Sequence, residues 1–359
     1  MSSHAPVKGS PSVLVTGASG LVGHELLDQL RQRDAVSTVG TSRRGSTAVQ
    51  IAAWDMSSEQ PPPQLQRDWD VIINAAANTR WTMSEEEATA ANVSSVRALK
   101  SLASETTHVI HVSTAYAVGL RGDVESADLE DYRNTYEWSK AHAERVAHEL
   151  FARLTIVRPP LIVGRRHDGR AARFSGMYTL IRGMTVGTVP AVIADPDARF
   201  DAIPVDDLCG LLADLVDDAT AGDHSVHTIA AGQAAPTVEG AVGAILDSLN
   251  AWRLRQGREP LESPPFIPPD SWKRFYRPFV LEHLTARQQL ILDLLASFEP
   301  YLALTAPLVP DRPVGDVLPC LKTSTDYWAD TNPRLAELTP QPWRGMEERT
   351  VMKAEERHA

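Results

Sequence analysis

Val13-Leu14-Val15-Thr16-Gly17-Ala18-Ser19-Gly20-Leu21-Val22-Gly23 is an apolar run that breaks into three glycines, each three residues after the last. Val13 to Val15 reads as a short buried strand, and residues 21–33 carry helical periodicity, so the glycines lie on a strand-to-helix turn. Gly17 permits the tight turn, Gly20 lets the backbone approach a pyrophosphate, and Gly23 lets the helix lie close to the sheet. With Ser19, Leu21 and Val22 between them, the turn offers free N–H groups and the positive end of a helix dipole to phosphates. A glycine triplet alone is weak evidence. Here a strand precedes it and a helix follows it.

Moving outward, strand-like runs recur at 36–41, 49–53, 70–75, 109–112 and 154–157, with helical stretches at 85–103 and 136–152. Asp70-Val71-Ile72-Ile73-Asn74-Ala75 is almost uniformly apolar, as a strand covered on both faces should be. Strands alternating with helices predict an α/β fold: a Rossmann-type, doubly wound parallel sheet. After Arg158-Pro159-Pro160 the pattern becomes irregular. Strand-like pieces at 191–194 and 227–230 mix with helices at 206–215 and 238–256. A proline- and aromatic-rich segment follows at 259–278, then apolar helical stretches at 281–297 and 301–304. The reading is a dinucleotide-binding core over 12–164 and a smaller, mainly C-terminal substrate lobe over 165–340. Segments at about 191–232 return to the core, and a polar tail spans 345–359.

The 359 residues are 43% hydrophobic and 23% charged, ordinary for a globular chain, with a net charge of -11. That balance disfavours nucleic acid or an anionic membrane as a partner. Cys209 and Cys320 lack metal-ligand spacing and read as reduced thiols. The first residues lack an apolar signal core and no run is long enough for a membrane span, so a cytoplasmic location is expected. His108, His111, His142 and His148 show no metal-binding spacing and read as structural or exposed; no metal is expected.

The end of the second strand selects the cofactor. An acidic residue there would hold the ribose 2′-hydroxyl of NAD. This chain has Thr41-Ser42-Arg43-Arg44, and the two guanidinium groups of Arg43 and Arg44 suit a 2′-phosphate, so NADPH is expected. Asp55, with Met56 beside it, is placed for the adenine. Ala75, Ala76 and Ala77 offer small side chains where a cofactor must lie against the sheet. Pro159 and Ile162, after the sixth strand, complete the expected cofactor set.

Tyr136-Glu137-Trp138-Ser139-Lys140 puts a phenol and an ammonium one helical turn apart. A free tyrosine has a pKa of about 10, and exchanging a proton near neutrality asks for a lowering of roughly 3 units, about 4 kcal/mol. The expectation is that Lys140 supplies it and also reaches the nicotinamide ribose. A hydroxyl from Ser113 or Thr114, at the end of the fifth strand, would share the substrate oxygen with Tyr136.

In these residues the chain resembles the extended short-chain dehydrogenase/reductase superfamily: Thr16-Gly17-x-x-Gly20-x-x-Gly23, Asn74-Ala75-Ala76, Ser113-Thr114, Tyr136-x-x-x-Lys140 and Arg158-Pro159. Ile73 to Trp81, His111 to Tyr116, Phe174-Ser175-Gly176-Met177-Tyr178 and Ile203 to Asp207 are most similar to its fatty acyl-CoA reductase and thioester reductase branch. The resemblance covers about residues 12 to 250. It implies Thr114 as the catalytic hydroxyl with Ser113 beside it, and an NADPH-dependent reductase acting on an acyl thioester, CoA- or carrier-bound, or a related carbonyl. The product would be an aldehyde or an alcohol. It also leaves a homodimer open. The alternative is a dehydrogenase or ketoreductase on a free alcohol or ketone, with a sugar-nucleotide epimerase third. Ala115-Tyr116 stand where sugar-nucleotide dehydratases place an Asp-Glu pair, which argues against dehydration. Arg165, Arg166, Arg170 and Arg173 form a basic loop suited to a diphosphate, and Trp81, Trp138, Met177 and Tyr178 are candidates for a pocket lining.

Overall fold

The computed structural model describes residues 10–33, 36–47, 51–57, 60–189, 191–217, 224–278, 289 and 296–340. The expectations for 49–50, 281–288, 290–295 and 345–359 lie outside these. In chain order the main elements are β1 (Ser12–Thr16), α1 (Leu21–Arg31), β2 (Ser37–Ser42), β3 (Ile51–Ala53), β4 (Val71–Asn74), α2 (Glu85–Ala88), α3 (Ser94–Ala98) and β5 (His108–Val112). There follow α4 (Thr135–Leu150), β6 (Arg153–Arg158), α5 (Met177–Val186), α6 (Val205–Asp217), β7 (Ser225–Ala230), α7 (Val238–Arg255), β8 (Arg312–Pro313) and α8 (Leu318–Thr331).

The chain divides into two compact units. One holds the chain through Ile162, Ile203–Gly232 and Leu308–Val314. The other holds Val163–Ala202, Gln233–Pro307 and the chain from Gly315 onward. In the first, the described residues form an eight-stranded sheet in the order β8-β7-β6-β5-β4-β1-β2-β3. Every pairing is parallel. The order reverses between β1 and β4, where a parallel sheet opens a crevice at its carboxyl edge.

Alternation along each strand builds two cores. Val13 and Val15 of β1, Ile73, Ile110 and Val157 face α1 and α6, meeting Leu26, Leu30, Leu208 and Leu212. Leu14, Ile72, Val109, Leu154 and Ile156 face the opposite way and meet Val93, Val96, Val146 and Ala147. Successive side chains on a strand point to opposite faces, so strands buried on both faces must be apolar throughout. β4 and β5 are fully buried along their length.

Two details differ from the sequence reading. The helix expected over 85–103 is α2 and α3 joined by a π-helical segment, Thr89–Val93, and ended by a 3-10 turn, Leu99–Ser101. The sheet unit is re-entered at Ile203 and again at Leu308–Val314. The second return was not legible because β8 is two residues long and carries a proline.

In the second unit α7 and α8 lie together. Ser248 donates to the Lys322 carbonyl at 2.9 Å, and Trp252 Nε1 donates to Asp330 at 2.7 Å. A two-stranded ribbon pairs Val192–Ile193 with Phe266–Ile267. Cys209 and Cys320 are buried thiols. Among the described residues no helix is long and apolar enough to cross a membrane, and no group of three or more His, Cys, Asp or Glu could hold a metal ion.

Candidate active site

The glycine turn is built by steric exclusion. Gly17 has φ +67°, and a Cβ there would lie 2.6 Å from the Ala75 carbonyl oxygen. A Cβ on Gly23 would lie 2.3 Å from the Gly17 oxygen. The chain therefore closes tightly on the carboxyl end of β4, and Gly20 N–H donates to the Gly17 carbonyl at 2.8 Å. Gly20 is also the N-cap of α1, whose N-terminus has neither a side-chain cap nor an acidic first-turn residue among the described residues. The Thr41 hydroxyl, 1% exposed at the end of β2, has no hydrogen-bond partner among them. A cradle too narrow for a Cβ, an uncapped helix start and an orphaned buried hydroxyl fit a dinucleotide that supplies phosphate and hydroxyl partners.

The other expected cofactor residues lie at carboxyl ends of neighbouring strands. Arg43 and Arg44 are exposed after β2. Asp55 accepts from the Ser57 hydroxyl and N–H, and these bonds, with the nearby Arg43 guanidinium, hold its carboxyl below the usual range. Ala75 and Ala76 are half-buried and Ala77 exposed after β4. Pro159 accepts from Ala115 N–H at 2.8 Å. Met56 and Ile162 pack into the two apolar cores, one each.

α4 begins at Asn134, whose side chain accepts from Glu137 N–H at 3.0 Å. The Thr135 hydroxyl ties the first turn to the Met83 carbonyl at 2.9 Å. This start presents Tyr136 to Thr114, whose hydroxyl is near enough to favour the phenolate. Tyr136 keeps part of its surface accessible, yet desolvation of the phenol pushes its pKa up to about 12; the Thr114 hydroxyl offsets part of this, and Glu137 adds to it. The expected lowering by Lys140 is corrected here. Lys140 is 1% exposed and donates instead to the Val112 carbonyl at 2.8 Å and meets His111 Nε2 at 3.2 Å. Burial brings the lysine itself down to about 8, with Glu144 pulling the other way.

A family model described as "Male sterility protein", an NAD-binding domain, matches residues 58–211 and so spans Thr114, Tyr136 and Lys140. Fatty acyl-CoA reductase 1 from Gallus gallus is 25% identical over 268 residues, 54% of this chain and 52% of that protein. A hybrid PKS-NRPS synthetase, pvhA of Talaromyces variabilis, is 28% identical over 228 residues, 57% of this chain and 6% of the synthetase. The chain thus spans about half the length of the curated acyl-CoA reductase. Among solved structures, the terminal R domain of the myxalamid PKS-NRPS pathway shares the fold with TM-score 0.65 at 19% identity, covering 94% of both chains.

Residues 58–211 thus match an NAD-binding domain family, and the chain resembles the extended short-chain dehydrogenase/reductases. It is most similar to the fatty acyl-CoA and thioester reductase branch.

The two adjacent hydroxyls at the end of β5 part ways. Ser113 donates to buried Glu144, which Arg158 holds through Nε at 3.0 Å and its terminal nitrogen at 2.5 Å. Ser113 is thereby engaged in a structural ion-pair cluster, whereas Thr114 faces Tyr136.

Sequence reading missed Asn92. Its side chain accepts from Asn78 N–H at 2.8 Å, donates to the Asn78 carbonyl at 3.1 Å and donates to Ser139 at 2.8 Å. One amide thus fastens the segment after β4 to α4, between Tyr136 and Lys140. The available signal was a polar residue inside the apolar stripe Ala88, Val93, Val96. His111, read from the sequence as structural or exposed, is buried against Lys140.

Trp138 donates from Nε1 to the Ala127 carbonyl and packs on Tyr132, and the Tyr178 hydroxyl accepts from Gly164 N–H, so both serve packing. The 165–170 loop closes on itself, with Arg165 N–H on the Arg170 carbonyl and Arg166 donating to the Asp316 carbonyl at 3.0 Å.

Proposed function

We propose that this chain is an NADPH-dependent reductase that delivers hydride to an acyl thioester, held on CoA or a carrier, and yields an aldehyde or alcohol. The observation that carries it is the approach of Thr114 and Tyr136 at the start of α4, with Lys140 one turn further along the same helix. Reduction of a carbonyl needs a proton donor beside the developing oxyanion, and Tyr136 next to Thr114 is placed to be one. Bound NADPH supplies the hydride. Gly17 to Gly23 with Ser19, Leu21 and Val22 would hold its diphosphate, Arg43 and Arg44 its 2′-phosphate, Asp55 its adenine, and Lys140 its nicotinamide ribose. Thr114 and Tyr136 would bind the substrate oxygen together, and Tyr136 would pass it a proton. The likeness to fatty acyl-CoA reductases and to a PKS-NRPS synthetase supports a thioester over a free ketone.

The test is loss of NADPH absorbance with purified protein and a panel of acyl-CoA and phosphopantetheine thioesters beside free ketones. Turnover confined to ketones would sink the thioester assignment. Arg43→Ser is expected to raise the KM for NADPH about tenfold and leave that for NADH within about twofold, through loss of a charge-assisted phosphate contact.

A further inference from the structure

Thr16, Asn74, His111 and Lys140 form one buried row across the carboxyl ends of β1, β4 and β5 to α4. The contacts are Thr16 Oγ1 to Asn74 Oδ1 at 2.6 Å, Asn74 Nδ2 to His111 Nδ1 at 3.2 Å, and His111 Nε2 to Lys140 Nζ at 3.2 Å. Each of the four is at most 1% exposed. With bulk water excluded, donors and acceptors must match along the row.

A neutral imidazole between an amide and an amine has two consistent arrangements. If Lys140 is an ammonium it can only donate. His111 Nε2 then accepts, Nδ1 carries the ring proton, and Asn74 turns its carbonyl toward Nδ1. If Lys140 is an amine, its lone pair accepts from Nε2–H. Nδ1 then accepts from the Asn74 amide, whose oxygen accepts from Thr16 and from Ala76 N–H. A half-turn of the Asn74 amide interchanges the two with the same heavy-atom positions.

We propose that His111 is the positioning residue for Lys140, and that the two titrate as one unit, with the ring proton on Nδ1 when the lysine is charged and on Nε2 when it is neutral. Between the states one proton leaves Lys140 for solvent, the ring proton changes nitrogen by exchange, and no other bond is made or broken. Glu144 acts on Lys140 from the same helix, α4, and its carboxylate is already paired with Arg158 from β6. Tyr136 and Glu137 lie in the first turn of α4, Glu137 paired with Arg133. Burial and the neighbouring ammonium hold the imidazole well below its ordinary range, so the ring stays neutral through the change. The consequence for catalysis rests on the reductase reading of Lys140; the proton arrangement does not.

The experiment is nitrogen NMR of the full chain with labelled histidine, titrated from about pH 6 to about pH 10, the span that brackets a lysine lowered by burial. The expected result is His111 as the Nδ1–H form at the acid end and the Nε2–H form at the alkaline end, with a midpoint near 8. Lys140→Met should abolish the change. A ring that keeps one tautomer throughout, or that charges to imidazolium, overturns the proposal. In kinetics, His111→Leu should move the alkaline limb of kcat/KM about one unit lower, because the ammonium loses an acceptor, and His111→Gln should restore it. A folded His111→Leu protein with an unmoved limb also overturns it. If that variant does not fold, the wild-type tautomer measurement decides. Absence of turnover on every thioester would defeat the proposed function and leave the tautomer result intact.

Discussion

The glycine turn after β1 and the hydroxyl pair between β5 and α4 lie on one sheet edge but are made in opposite ways. The turn is defined by atoms that are missing: no Cβ fits at Gly17 or Gly23. The pair is defined by polar atoms that are matched, through Asn134, Asn92, Glu144 and His111. The first kind of site tolerates almost no added atom. The second tolerates isosteric change but not an unmatched donor or acceptor.

Four substitutions or conditions sharpen that contrast. Gly17→Ala should have the largest effect, because a methyl group meets backbone and the residue must hold a left-handed φ, together costing several kcal/mol, on the order of 3 or more. Thermal denaturation and NADPH fluorescence titration should show a destabilised protein without measurable cofactor binding; unchanged binding would break the steric account of the turn. Tyr136→Phe keeps the shape and removes one proton, so kcat should fall about 10²- to 10⁴-fold while NADPH affinity stays within about threefold. In the free enzyme, kcat/KM should decline above about pH 8 as Lys140 loses its charge, while Tyr136 stays protonated to about 12. A decline beginning only near pH 10 would return that role to the tyrosine. Stability should move oppositely to this limb. Lys140's folded pKa is depressed, so between about 8 and 10.5 the unfolded chain binds more protons and the fold gains stability as pH rises. Smallest in activity is Ser113→Ala: it leaves Thr114 in place but takes a donor from buried Glu144, so turnover should persist while stability drops about 1–2 kcal/mol in a denaturant titration.

The same contrast explains what the sequence disclosed. Gly17, Gly20 and Gly23 act through local backbone, and their spacing suffices to read them. The doubly wound order was legible because Val71 to Ile73 and Val109 to Ile110 are apolar on both faces. Which of Ser113 and Thr114 faces Tyr136 was indicated by the family resemblance alone; spacing left both open, since the choice turns on Glu144 and Arg158, 31 and 14 positions away from their partners. Lys140's contacts with Val112 and His111 were hidden for the same reason. A four-residue spacing says that two side chains share a face, but not which acceptor the longer one chooses. Nor does periodicity reveal the Thr89–Val93 segment, where one helical turn widens without any glycine or proline to announce it.

That widened turn is in effect a shim. The extra residue advances everything after it by about 100° around the helix axis, the angular step of 3.6 residues per turn. Ala88 and Val96 both reach the core while Asn92, between them, keeps its grip on Asn78 and Ser139. Deleting one residue from this helix would leave its length and hydrophobicity almost untouched, yet would force a choice between seating the core and seating the amide. The seating of this helix against Asn78 and α4 is therefore set by a single residue of its length.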